Sequence, residues 1–303
     1  MANNVQYFTT NPGKLGALLV AAGATLISFS GVYVKLAHVS PTVAGFYRTF
    51  FGGIILLVIV WMRGGLLWQG FYHFFLGVLC GFLLALDLFF WHISIHFIGP
   101  GLATILGNFQ VFLLALFGVL VLKEKPTINL LLAIPLAMLG LYLLAGIQWG
   151  DFGQNYKVGI FLGLATALCY ASYLLVLRRL QISDDYLSPV TNLVIICFVT
   201  AAFLGTTAWQ QSDSFEIPDL QSLLSLSGYG LFSQVIGWVL ITKGLPKIKS
   251  SLTGLLLLLQ PALAFVWDML FFDRKTSIVG GIGAVFTLAA IYMGATSHSD
   301  SKR

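Results

Sequence analysis

Asp87 stands near the middle of a long apolar stretch, with Trp91 four residues on and so one turn further along the same helical face. A charge at bilayer depth costs at least about 2.5 to 3.5 kcal/mol on insertion scales, so a carboxylate there implies a task such as holding substrate or a coupled proton. Gln234 and Trp238 repeat the spacing in the second half of the chain. These two polar-plus-indole faces can line one central cavity, the indoles forming flat apolar walls while the carboxyl and amide orient a polar ligand. Gln110 and Gln260 lie near the middle of two further stretches. They either complete that cavity or bond across helices as structural glue, worth about 0.6 kcal/mol in membranes.

His92 and His96 are spaced i, i+4, which suits metal ligation, but no third ligand follows. An interfacial pair reaching water is the simpler reading, and a protonatable gate the next. His-Glu-x-x-His, Gly-x-Ser-x-Gly and the Gly-rich phosphate loop are all missing, so the familiar enzyme motifs are not met. Arg48 lies inside another apolar run, where its stem can snorkel to the interface or its charge can pair with a carboxylate, Asp268 being one candidate. Cys80, Cys169 and Cys197 are far apart with no C-x-x-C spacing and read as small apolar packing residues. Two functions these residues leave open are a membrane-embedded metal enzyme using His92, His96 and Asp87, and a passive channel.

These residues need elements to position them, and composition says which kind. Of the 303 residues 58% are hydrophobic and 9% charged, where a soluble domain carries about a quarter charged, so a water-soluble fold is excluded. The net charge of +5 comes from basic residues scattered singly or in small groups, which suits membrane loops and not a nucleic-acid surface. Ten apolar stretches approach the 20 or so residues a spanning helix needs. They run from Leu15 to Leu36, Pro41 to Met62, Phe74 to His96, Gly101 to Leu122, Ile128 to Gly146, Val158 to Leu177, Ser188 to Trp209, Leu220 to Ile241, Ser250 to Phe271 and Ser277 to Ala295. The largely polar residues 1–13 lack the cationic start and cleavage site of a secretory signal and read as an N-terminal tail. The expected fold class is an all-α membrane protein.

Alternate loops share a side of the bilayer, so Lys and Arg decide orientation. An inside N-terminus gathers eleven of the sixteen inside and four outside, with Arg48 within the second helix. Both termini, 1–13 and 297–303, are expected to be cytoplasmic. Sliding one half over the other then gives matches in order. Asp87-x3-Trp91 falls on Gln234-x3-Trp238 at a shift of 147, Gln110 on Gln260 at 150, and the Glu124-Lys125 turn with Thr127 on Asp273-Arg274 with Thr276 at 149. The chain is expected to hold two five-helix repeats, 14–146 and 158–296, joined by an outer linker 147–157. Five is odd, so the second repeat is inverted in the bilayer, as in transporters. The small-residue runs Gly77-x3-Gly81, Gly159-x3-Gly163 and Gly280-Gly281-x-Gly283 permit close crossings within a monomer.

With these repeats, the sequence resembles the ten-helix EamA-type members of the drug/metabolite transporter superfamily over nearly its whole length. The resemblance is carried by Ala44-Gly45-Phe46-Tyr47-Arg48-Thr49, by Leu122-Lys123-Glu124-Lys125-Pro126, by Leu139-Gly140-Leu141-Tyr142-Leu143-Leu144 and by Gln260-Pro261-Ala262-Leu263. It departs at Asp273, where the family often has Glu. The resemblance implies a secondary transporter of a small metabolite in the bacterial inner membrane, many members exporting amino acids or related compounds, with no bound cofactor. Its partners are then the small-molecule substrate and the lipid bilayer. Tyr33 on the first helix and Tyr170 and Tyr173 on the sixth add amphipathic rings on helices the family uses around its pathway. The expected substrate-binding set is Asp87, Trp91, Gln110, Gln234, Trp238, Gln260, Tyr33 and Tyr173.

Overall fold

Apolar runs of about twenty residues satisfy their backbone N–H and C=O groups in lipid by bonding within each helix. The computed structural model describes residues 12–64, 68, 70–145, 155–182, 189–273 and 277–296. Among them the regular structure is helical, with no strand. Ten helical segments can be traced among the described residues: α1 (Pro12–Leu36), α2 (Pro41–Met62), α3 (71–98), α4 (100–120), α5 (Ile128–Ala145), α6 (Tyr156–Ile182), α7 (Pro189–Gln210), α8 (Leu220–Lys247), α9 (Ser250–Phe272) and α10 (Ile278–Thr296). The all-α membrane fold expected from the sequence is therefore present. The predicted starting residue Ser188, the predicted end Gly146, both tails but for residues 12 and 13, and most of the linker 147–157 lie outside the described residues.

One boundary differs in kind. The sequence suggested a short connection between the third and fourth helices, but they meet at a corner, where Gly99 alone is non-helical (φ 74, ψ 162). Pro100 has no N–H and disfavours helical geometry in the residue before it, and only glycine takes that positive φ without strain. A hydrophobic stretch of 50 residues thereby becomes two passes.

The packing is symmetric under an exchange of each helix with the one five places on. α3 packs most heavily on α6, and its counterpart is α8 on α1; α2 packs on α7, α4 on α9, and α5 on α10, each pair being its own counterpart. An odd repeat of five makes the two halves opposite in the bilayer, so this is an inverted-repeat bundle. The α5–α10 seam shows why small residues stand there. A Cβ at Gly283 would lie 2.5 Å from the Gly140 carbonyl oxygen, and Gly81 is similarly pressed by α7, 2.9 Å from the Ile196 oxygen. Glycine lets the backbones touch, which replaces the hydrophobic driving force that lipid cannot supply.

The symmetry also corrects a register. α4 and α9 both end near a left-handed residue, Lys123 (φ 52) and Asp273 (φ 46). The next helices are capped by Thr127, which accepts from the Leu130 N–H at 3.3 Å, and by Ser277, which accepts from the Gly280 N–H at 3.1 Å. All these pairs are 150 apart, so Thr127 corresponds to Ser277 and not to Thr276. The hydroxyl that caps, rather than the nearest identical letter, fixes the equivalence.

Candidate functional site

α4 and α9 are interrupted at equivalent places. α4 loses its regular turn at Asn108 and Phe109, and α9 at Leu258, each just before the glutamine of the symmetric pair, Gln110 or Gln260. Gln110 is fully buried, and neither of its amide atoms has a hydrogen-bond partner. Gln260 is half-buried and donates through Nε2 to the Tyr170 hydroxyl at 3.3 Å. Tyr170 stacks on Tyr173 with centroids 6.2 Å apart, and Tyr173 meets Trp238 edge-on at 5.0 Å. Tyr173 and Trp238 are buried, with the hydroxyl and the indole N–H both lacking an acceptor.

Facing this aromatic wall is Asp87 on α3. Its side chain has no hydrogen-bond partner among the described residues, although the Thr166 hydroxyl donates to its backbone oxygen at 3.4 Å. Asp87 and Tyr170 lie deep among protein atoms yet keep accessible surface, so they border an interior cleft and not the lipid. The charge of Arg48 acts on both. Arg48 itself neither snorkels nor meets Asp268, as the sequence had suggested. It is 8% exposed; Nε donates to Gln234 Oε1 at 2.7 Å and Nη1 to the Tyr229 hydroxyl at 3.2 Å, with the Tyr229 ring 5.0 Å from Cζ. Asp268 is taken instead by Lys35 at 2.8 Å.

Local backbone explains how Gln234 reaches Arg48. Tyr229–Gly237 of α8 is a π-helix, and Gly52 on α2 gives room, since a Cβ there would lie 2.6 Å from Gln234 Cγ. The π turns carry Tyr229 and Gln234, five residues apart, to one guanidinium. In an α-helix residues five apart are turned by about 140°, so the α-helical periodicity of the sequence could not pair them. Tyr229 was missed for that reason. Cys197, read as packing only, is buried but also accepts from Gln234 Nε2 at 3.2 Å. Tyr33 joins the network at its edge, stacked on Tyr229 at 5.8 Å.

The expected set is thus brought together in part. Gln234, Trp238, Tyr173, Gln260 and Asp87 border the centre, and Tyr33 touches it through Tyr229. Trp91 lies apart, packed with Ile95, Ile98 and Leu102 and tilted against His92 at 5.3 Å; it makes no ring contact with Trp238. His96 is exposed. Among the described residues no group of three His, Cys, Asp or Glu side chains converges in a way that could hold a metal.

The two ends of the bundle carry polar ties. At one end the segment 211–219 folds over α1 and α2: Ser40 donates to Asp213 at 2.6 Å, Tyr47 to the Phe215 oxygen at 2.5 Å, and His38 pairs with Asp219 at 2.6 Å. The Ser222 N–H first, and then His38, pull the Asp219 carboxyl down to about 2. Trp267 of α9 adds a bond to Ser28 at 2.7 Å and a stack on Phe29 at 4.3 Å, where α1 is broken. At the opposite end Glu124, its side chain 8% exposed, accepts from the Ser250 N–H at 2.7 Å and the Ser251 hydroxyl at 3.0 Å, with Arg178 3.9 Å away. It caps the free N–H groups at the start of α9.

Two inverted five-helix halves around a buried polar cleft define a polytopic membrane protein with the architecture that secondary transporters use. The chain belongs to the EamA-like transporter family, whose profile matches residues 14–146 and again 157–295. A curated relative, "Uncharacterized transporter sll1319" of Synechocystis sp. (strain ATCC 27184 / PCC 6803 / Kazusa), is 29% identical over 191 residues, 62% of this chain. The match spans 56% of that relative's length. A solved crystal structure superposes with a TM-score of 0.79 over 93% of this chain and 98% of its own, at 17% identity, a likeness that carries the fold alone.

Proposed function

We propose that the protein is a secondary transporter that carries a small metabolite, an amino acid or related compound, across the bacterial inner membrane by alternating access, and that it works as an exporter. The observation that carries this reading is the pair of equivalent interruptions in α4 and α9, each followed by a glutamine, with Gln260 bonded to Tyr170 at the interior cleft. Broken helices near mid-membrane free backbone and side-chain polar groups for a substrate, and inverted halves can rock about such a site. Family membership supports a membrane transporter, and the amino-acid substrate class rests on the resemblance set out under Sequence analysis. The eleven-to-four distribution of Lys and Arg favours cytoplasmic termini, which puts the Glu124 tie inside and the Asp219 tie outside. Opening one tie while the other holds is then alternating access, gated at the start of α9 on one side and the start of α8 on the other.

The test is counterflow in proteoliposomes. Vesicles loaded with an unlabelled amino acid accumulate the labelled one transiently, and the rate saturates. A linear, non-saturating flux with no counterflow is channel behaviour and would sink the carrier reading. Direction follows from whether cells overproducing the protein lose or gain the exchanged compound.

A further inference from the structure

Arg48 is a cation enclosed by neutral groups. Two of its five N–H donors are used, on the Gln234 amide oxygen and the Tyr229 hydroxyl, and among the described residues no carboxylate is within ion-pair distance. A buried charge held this way costs free energy, because amide and phenol dipoles replace water but supply no opposite charge. Two further buried donors on the same side have no acceptor at all: the Tyr173 hydroxyl and the Trp238 indole N–H, on rings 5.0 Å apart. The charge of Arg48 reaches Tyr173 and Cys197 as well as Asp87, so these groups share one region. The region is rich in donors, and its acid, Asp87, stays beyond ion-pair distance of Arg48. Asp87 borders the cleft, and its carboxyl has no hydrogen-bond partner among the described residues.

We propose that Arg48, with the Tyr173 hydroxyl and the Trp238 N–H, forms the carboxylate subsite of the cleft, and that Arg48 is the residue that makes the protein refuse amines lacking a carboxylate. Gln234 and Tyr229 hold the guanidinium in its empty state and keep two of its edges fixed, leaving the remaining N–H groups for a substrate oxygen pair. A carboxylate suits this set because a guanidinium presents parallel N–H bonds to two oxygens at once. Asp87 takes the ammonium end. A zwitterion therefore satisfies both poles together, whereas an amine leaves Arg48 unmatched and an acid leaves Asp87 unmatched. This inference rests on the amino-acid transport reading and adds to it the residue that selects the carboxylate.

The experiment is counterflow competition with two sets of probes in proteoliposomes of the full chain: leucine, isopentylamine and 4-methylpentanoate, and serine, ethanolamine and 3-hydroxypropanoate. In the wild type each amino acid should compete about ten-fold or more better than its amine or its acid, the size of one charge-assisted contact. Arg48→Gln should erase the advantage of amino acid over amine while keeping that over acid. Arg48→Lys should restore part of it. Tyr173→Phe, which removes one oxygen from a well-packed site, should weaken amino-acid competition several-fold and leave that of the amines unchanged, and it reads the same subsite if Arg48→Gln does not fold. An unchanged ratio of amino acid to amine in Arg48→Gln, or in Tyr173→Phe when that variant alone folds, overturns the inference and leaves the transport reading standing. A wild type that exchanges neither leucine nor serine overturns the amino-acid reading itself.

Discussion

Asp87 and Trp238 illustrate two fates of a polar group in a membrane bundle. The Asp87 carboxyl is exposed to an interior cleft and unbonded, so its charge is available to substrate or proton. Asp87→Asn keeps the shape and removes the charge; the expected outcome is normal membrane abundance with transport strongly reduced or no longer dependent on pH, measured as uptake rate across a pH series. Wild-type rates and pH profile would return Asp87 to packing. Trp238 is 2% exposed and meets Tyr173 edge-on, so Trp238→Ala should cost about 3 to 5 kcal/mol of stability as well as substrate affinity. Trp91 belongs to a different cluster. Repeat symmetry makes the two indoles look like partners, but without a shared contact the stability effects of Trp91→Ala and Trp238→Ala should add to within about 0.5 kcal/mol in thermal unfolding of the double variant. A larger coupling would place both on one ligand or one void.

At the scale of elements, the ends of α8 and α9 decide how firmly the bundle is tied. Glu124 satisfies N–H groups at the start of α9 from a turn in the other repeat, in a nearly buried position. Glu124→Ala should lower stability by about 1 to 3 kcal/mol, whereas Glu124→Gln, which can still accept, should lose less. Thermal unfolding in detergent measures both, and equal losses would show that charge matters more than capping. Asp219 caps α8 from the opposite side, with its carboxyl held near 2 by the Ser222 N–H and His38. Because the folded state depresses this carboxyl, its contribution is present above its ordinary value near 4 and fades as pH falls toward 2. The stability gap between wild type and Asp219→Ala should therefore be constant from neutral pH down to about 5 and shrink below it. A gap that widens on acidification would contradict that sign.

For the whole molecule, orientation is the property that gives the two ties their meaning. A cysteine at Lys125 should react with an impermeant thiol reagent only from the cytoplasmic face, and one at Ser214 only from outside. Cys80 and Cys197 are buried, which limits background, and Cys169 is half-buried. The reverse labelling pattern would exchange the inner and outer ties and with them the direction of every step in the proposed cycle.

The amino-acid sequence by itself determined that this chain is a helical membrane protein of two inverted repeats, because apolar length, loop punctuation and repeat order are linear properties. Asp87, Gln110 and Gln260 were legible as candidates for the same reason: a polar residue amid twenty apolar ones is conspicuous without coordinates. What only the tertiary structure decided is who meets whom. Arg48 faces Gln234 and Tyr229 and not Asp268, because the π turns of α8 bring residues five apart onto one side, a periodicity that an α-helical reading assigns to different faces. Trp91 parts from its apparent twin because α3 turns sharply at Gly99 and packs that half-buried indole against its own continuation, whereas α8 carries Trp238 into the centre. Spacing along a chain fixes which residues share a helix face only while the helix stays regular, and the irregular turns are where this protein gathers its polar groups.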